Sequence, residues 1–218
     1  MNKAKLTQKQ INQLQLIRQI CAAAKSYKTQ LVGKTFLYIF DDRYIEVMFK
    51  VTNFRHLTGV QSSLSAREFY IKAIRNQLQT NQISFSSNHP YELCLKKITN
   101  ITDIANLAQS ESFMLDEITT QSKAYKFGTT DLNFSLCLDL EYDNHHNPKG
   151  PYYVAQSLRD EDCFSRSKSV FDITHIFAKR NDEKLYSIPI YPSQPKQPVP
   201  ETVKALLSED LLNSYQCL

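Results

Sequence analysis

The stretch Asn133-Phe-Ser-Leu-Cys-Leu-Asp-Leu-Glu-Tyr-Asp143 alternates apolar and polar side chains almost without error. A period of two belongs to extended chain, so Phe134, Leu136, Leu138, Leu140 and Tyr142 point to one side. Ser135, Asp139, Glu141 and Asp143 point to the other. A strand dry on one face and wet on the other is typical of an antiparallel sheet covered on one side. The rest of the chain must therefore supply partner strands and a layer that packs on them.

Partner strands are legible on both sides of this run. Thr35–Phe40 and Tyr44–Val51 are rich in β-branched and aromatic residues, and Asp41-Asp42-Arg43 between them suits a hairpin turn. In the second run Ile45, Val47, Phe49 and Val51 form the core face, and Tyr44, Glu46 and Lys50 the wetter one. Tyr152–Leu158, Val170–Lys179 and Leu185–Tyr191 read as further strands in an antiparallel meander, and Ile83-Ser-Phe as a very short one. The covering layer comes mainly from the amino-terminal half. Thr7–Ala24 carries Ile11, Leu14, Ile17, Cys21 and Ala24 at helical spacing. Ser65 and Glu68 have the spacing of a capping box before Phe69, Ala73, Ile74 and Leu78. Tyr91–Ala108 places Leu93, Leu95, Ile98, Ile101, Ile104 and Leu107 inward. Four prolines in residues 192–200 make a stiff connector to a last helix, Glu201–Ser214, with Val203, Leu206, Leu207 and Leu211 as its docking stripe.

Charge is unevenly shared. Residues 1–100 carry 15 Lys and Arg against 5 Asp and Glu, whereas the remaining 118 carry 11 against 17. A basic half attached to an acidic one can mark a nucleic-acid-facing surface, although solvated helix faces give the same count. The five cysteines are scattered without a close pair, so neither a zinc site nor a redox centre is framed, and a reducing cytoplasm is the simplest location. No run approaches the length of uncharged apolar sequence that a membrane span needs, and no secretory signal precedes the first helix.

Several motifs dissolve on inspection. Gly33-Lys34-Thr35 resembles the end of a phosphate-binding loop, but Lys28 stands where a glycine is required and a strand follows instead of a helix. His145-His146 sits among Asn144, Asn147, Pro148 and Gly150, the composition of an exposed turn. Asp160-Glu161-Asp162 cannot converge on one cation. No metal and no cofactor is implied. Phe54-Arg55-His56-Leu57-Thr58-Gly59-Val60 stands out, because a strand-to-helix junction can present His56 and Thr58 to a cleft while the glycine permits a tight backbone. The competing reading is that His56 caps the hairpin on a backbone carbonyl.

The order of Leu31-Val-Gly-Lys-Thr-Phe-Leu-Tyr-Ile-Phe40, a second strand, Asn53–Val60 and a helix with Phe69-Tyr70 resembles a phage-associated family of nuclease-like domains. The later Tyr125-Lys-Phe-Gly-Thr129, the strand through Leu136 and Leu138, and Tyr153-Val-Ala-Gln-Ser157 are similar in order. That family is grouped with barnase, EndoU, certain colicins and the RelE toxin. The resemblance spans residues 28–191, with an amino-terminal helix in 1–27 and the proline-rich connector and last helix in 192–218 on its flanks. It implies an α+β fold of an antiparallel sheet with packed helices. It also implies a metal-independent, toxin-like endoribonuclease in which a ribose 2′-hydroxyl attacks the adjacent phosphorus. Such chemistry needs a base, an acid and cations or donors on the phosphate. On this reading His56, Thr58, Ser157, Arg159 and Lys179 are the candidate catalytic residues, and Tyr125, Thr129, Tyr153 and His175 the candidate substrate contacts. His175 shares its face with Phe171, Ile173 and Phe177, which favours a core role. The implied partners are single-stranded or transfer RNA and an antitoxin or immunity protein, without a membrane. A non-catalytic nucleic-acid or protein binding module and a nucleotide-handling transferase are the competing functions. A nuclease requires His56, Arg159 and at least one of Thr58, Ser157 and Lys179 to converge in one cleft.

Overall fold

The computed structural model describes residues 7–107, 112–120, 123–192 and 197–216. Ala108, Cys217 and residues 193–196 of the proline-rich connector lie outside them. The chain is mixed α and β, and its principal element is a nine-stranded, mostly antiparallel sheet. In chain order the strands are β1 (Lys34–Phe40), β2 (Arg43–Met48), β5 (Phe113–Thr119), β6 (Ala124–Thr130), β7 (Ser135–Tyr142), β8 (Pro148–Arg159), β9 (Ser169–Asp172), β10 (His175–Arg180) and β11 (Ile188–Tyr191). Their spatial order is β11-β10-β1-β2-β8-β7-β6-β5-β9, with β2 and β8 the parallel pair. A separate two-stranded ribbon joins β3 (Gln61–Ser62) to β4 (Ile83–Ser84).

The first hairpin forms as the sequence suggests. Asp41 and Asp42 both take positive φ (47° and 55°), the geometry of a tight two-residue turn, and β2 starts at Arg43. β1 is buried along nearly its whole length because both faces of the sheet are covered there. Phe36, Tyr38 and Phe40 enter the main core, while Leu37 and Ile39 enter a second core on the opposite face. Full burial of each such side chain is worth roughly 1.5–3 kcal/mol.

The expected strand Val170–Lys179 is in fact two strands separated by Ile173 and Thr174. β9 pairs with β5 at one edge of the sheet, and β10 pairs with β1 near the other. Two residues span less than about 11 Å of chain, so strands at opposite ends of the order must lie side by side in space. The sheet therefore curls toward closure, sealed by backbone bonds from Ile173 N to Ser112 O (3.1 Å) and Thr174 N to Ile39 O (2.9 Å). Phe40 packs against both Phe127 and Phe171 across the seam. The simple meander is corrected in the same way: β7–β8 and β10–β11 are hairpin neighbours, but β1 and β2 stand between the two pairs.

The helices α1 (Gln8–Gln30), α2 (Phe54–Thr58), α3 (Ala66–Ile74) and α4 (Tyr91–Leu107) build the layer over the main core. α1 is longer than its stripe suggests and starts on a Thr7–Gln10 capping box. Its buried face is Leu16, Ile17, Ile20, Cys21, Ala24 and Tyr27, whereas Ile11 and Leu14 are exposed. α3 carries the Ser65–Glu68 capping box. On α4 the buried positions are Cys94, Lys97, Ile98, Ile101 and Ile104, with Leu93 and Leu95 only half-buried. The last helix is broken into α5 (Glu201–Lys204) and α6 (Glu209–Gln216), because Leu207 forms a bridge with Tyr186. Val203, Leu207, Leu211 and Tyr215 cover the second core. The His145-His146 segment is the exposed turn of the β7–β8 hairpin. No helix among the described residues is long and apolar enough to cross a membrane.

Candidate active site

A cleft of about 1290 Å³ opens where the end of β8 and the start of β6 face α2, the β3–β4 ribbon and α4. That exceeds the roughly 300–1,000 Å³ of an ordinary small-molecule pocket. His56, Lys97, Tyr125, Ser157 and Arg159 line it together with His89.

One wall is set by α2. The short helix ends on Gly59 in the left-handed conformation (φ 72°), whose N–H bonds the His56 carbonyl. Thr58 is fully buried and closes the same turn, donating to the Arg55 carbonyl (2.6 Å) and accepting from Val60 N–H (3.2 Å). His56 is left on the open side of the helix, exposed at the cleft, with no ring hydrogen bond among the described residues. The hairpin-capping alternative is thus not what the structure contains. Asn53 ties this wall to the opposite one by donating to the Ala155 carbonyl of β8 (2.7 Å).

The floor comes from α4 and the turn before it. His89 N–H donates to the Ser86 carbonyl and Oγ, both at 3.1 Å, and Cys94 Sγ reaches the His89 carbonyl at 3.6 Å. Helical spacing from Cys94 then turns Lys97 inward with Ile101 and Ile104, and Lys97 is only 6% exposed. A β-carbon at Gly59 would lie 2.9 Å from His89 Cδ2 and 3.2 Å from Lys97 Cδ, so both side chains press on the glycine.

The far wall is the end of β8. Ser157 faces the cleft and is 8% exposed. Arg159 Nη2 donates to Thr120 Oγ1 (3.1 Å), and Thr120 is itself held by donating to the Lys123 carbonyl (2.6 Å) and accepting from Lys123 N–H (3.2 Å). The Arg159 guanidinium lies 6.0 Å from the centre of the Tyr125 ring, and Lys123 Nζ lies 5.1 Å from it.

The electrostatics are cationic. Arg55, Lys97, Lys123, Arg159 and Arg166 line the cleft against Asp160 and Glu161. Those two carboxylates are engaged, Asp160 by Lys96 (2.6 Å) and Glu161 by Arg166 (3.2 Å). Other acidic residues of the second half pair elsewhere: Asp116 and Glu117 with Lys126, and Glu141 with Lys50 and Lys149. Loss of hydration in the cleft, with Lys97, Lys123 and Arg55 nearby, holds the His56 pKa below the ordinary imidazole range. Desolvation, then Lys97, His56 and Arg159, do the same to His89. Burial, then Arg159, lowers Lys97. Among the described residues no group of three or more His, Cys, Asp and Glu side chains is placed to hold a metal ion.

Of the residues expected from sequence, the cleft gathers His56, Tyr125, Ser157 and Arg159. The others lie apart. Thr58 closes the α2 turn, and Thr129 is fully buried within β6. Tyr153 packs edge-on against Phe127. His175 is fully buried, stacked on Phe177, with Nδ1 3.0 Å from Thr174 Oγ1 and Nε2 3.2 Å from the Gln197 carbonyl. Lys179 reaches Glu46 (3.6 Å) and the Lys184 carbonyl (3.2 Å) while lying over the Tyr186 ring. His89, Lys97 and Lys123 escaped the sequence reading. The one available signal was a lysine occupying an inward position of α4.

Among curated proteins and among solved structures nothing matches the chain. The sequence model of a family described as phage-Barnase-EndoU-ColicinE5/D-RelE like nuclease4 matches residues 19–194, which include every residue lining the cleft. With most of its length matched, the chain belongs to that phage-associated family of barnase/EndoU/colicin/RelE-type nucleases.

Proposed function

We propose that the protein is an endoribonuclease that cleaves single-stranded or transfer RNA by 2′-hydroxyl transesterification, with a toxin-like role. The observation that carries this reading is the meeting of His56, Ser157 and Arg159, from α2 and the end of β8, in one cation-lined cleft. His56, whose neutral form is favoured, takes the proton from the ribose 2′-hydroxyl. The 2′-oxygen bonds to phosphorus, the bond to the 5′-oxygen breaks, and that oxygen accepts a proton from a protonated group of the cleft. The products are a 2′,3′-cyclic phosphate and a 5′-hydroxyl. Arg159 offers a planar fork, held by Thr120, to the phosphate oxygens as negative charge develops. Ser157 supplies a hydroxyl donor, and Tyr125 an aromatic edge at the wall for an unpaired base.

The test is incubation of the purified protein and of His56→Ala with total and transfer RNA in EDTA, read on a denaturing gel with end-group analysis. Fragments ending in cyclic phosphate from the parent, and none from the variant, are expected. A folded parent that retains RNA in a salt-sensitive manner without cutting it would refute the reading in favour of a binding module.

A further inference from the structure

We propose that Lys97 and His89 form a phosphate-binding subsite at the floor of the cleft, in which the ammonium of a buried lysine is held without a protein counter-ion to receive a phosphate oxygen. Lys97 is 6% exposed as a whole and meets solvent only through the cleft, so its ammonium has lost part of its hydration, and buried lysines are ordinarily paired. Around Lys97 the charged neighbour is Arg159, and the other titratable groups beside it, Cys94 and Cys137, are kept as neutral thiols. No carboxylate stands within ion-pair distance of it among the described residues. The cleft's two carboxylates are taken up by Lys96 and Arg166.

The surroundings are built to keep the amine there. Gly59, in a conformation that side chains rarely adopt, leaves room that a β-carbon would take from the lysine chain and from the His89 ring. The His89 main chain is held in turn by the Ser86 turn, and its carbonyl by Cys94 of α4. The lysine chain and imidazole thus flank the same point from two sides, and Arg159 acts on both. An apolar side chain at position 97 would continue the stripe of Cys94, Ile101 and Ile104, so the lysine is costly to the fold and is explained by an anion it receives.

The shared ligand chemistry is a phosphate group, whether a phosphodiester of a strand or a free phosphate. The subsite deepens the nuclease reading by placing a substrate phosphate at the closed end of the cleft, yet anion binding there does not depend on cleavage. His89 is faced by Lys97 from α4, His56 from α2 and Arg159 from β8, and His56 by Lys97, Lys123 and Arg55. An anion seated among them offsets these cations and must raise the pKa of both rings on binding.

The experiment follows the imidazole resonances of the full-length protein by NMR across pH, titrating inorganic phosphate in one arm and an uncleavable 2′-deoxy oligonucleotide in another. Saturation should raise the pKa of both His89 and His56. Lys97→Met should weaken binding by roughly ten- to a hundredfold, the loss expected for a charge-assisted contact, without lowering thermal stability. His89→Gln, which leaves the lysine in place, should weaken it less. Binding of phosphate alone assigns the subsite to a free phosphate, and binding of the oligonucleotide assigns it to a strand. Unmoved histidine titrations, or equal binding by Lys97→Met, overturn the inference. Phosphate binding without RNA cleavage upholds the subsite and sinks the nuclease.

Discussion

Substituting alanine at two glycines of this chain separates what the cleft floor needs from what the backbone needs. Gly33 and Gly59 both hold positive φ, 83° and 72°, so alanine at either meets the same left-handed strain of roughly 1–2 kcal/mol. They differ in space. A β-carbon at Gly33 has nothing within 4 Å, whereas one at Gly59 falls 2.9 Å from the His89 ring, 3.2 Å from the Lys97 chain and 3.5 Å from Cys94 Sγ. Overpacking of that kind adds about 1–3 kcal/mol, relieved in part by pushing the two side chains toward the cleft. Gly59→Ala should therefore lose about 2–5 kcal/mol against about 1–2 for Gly33→Ala, read from urea unfolding. At roughly 2–4 °C per kcal/mol for a chain of this size, the difference is resolvable by calorimetry. RNA cleavage and phosphate binding should fall in Gly59→Ala and persist in Gly33→Ala at temperatures where both are folded. Equal stability and equal activity of the two variants would refute the packing argument.

Other outcomes follow from the same geometry. Thr120→Val removes the acceptor for Arg159 and the closure of the β5–β6 turn, and should lower cleavage roughly tenfold with about 1–2 kcal/mol of stability lost; wild-type rates in the variant would release Arg159 from its role. Both cleft histidines titrate below their ordinary 6.5 and are neutral at pH 7, so the acidic limb of kcat/KM should lie below pH 6.5. A limb at or above that value contradicts a base in this environment. His175 is kept neutral by burial, its folded pKa lying below the unfolded 6.5. Its contribution to stability is complete above that value and is lost as pH falls through it toward the folded pKa, because the unfolded chain binds the extra proton. Unfolding midpoints measured from pH 7 to 5 should fall less steeply in His175→Phe than in the parent.

The readings that held locally were those whose cause is local. Ser65 and Glu68 cap α3 because the reciprocal bonds of that turn involve no distant residue, and the Asp41-Asp42 turn joins β1 to β2 because its geometry is fixed by two dihedral pairs. The alternation through β7 gave its inward Phe134, Leu136 and Leu138 for the same reason, but not the expected wet face: Ser135 and Cys137 are fully buried on the other side, and Tyr142 at the far end is exposed. Resemblance to the nuclease family, read from short motifs, agrees with the match over residues 19–194.

What the tertiary structure alone decided is partnership over distance. Ile173 and Thr174 have the composition of a strand interior, and only the curling of the sheet turns them into a corner that sends β9 to one edge and β10 toward the other. His89 lies in a polar turn that reads as loop, and Lys97 has the residue type of a solvated helix face. Whether either meets His56 depends on how α4 docks against α2 and β8, which no local pattern encodes. His175, with the residue type of a catalyst, became a core ring because α6 covers its face with Tyr215. Propensity and periodicity act over a turn or a strand, whereas a site of this kind is assembled by burial and pairing between segments a hundred residues apart.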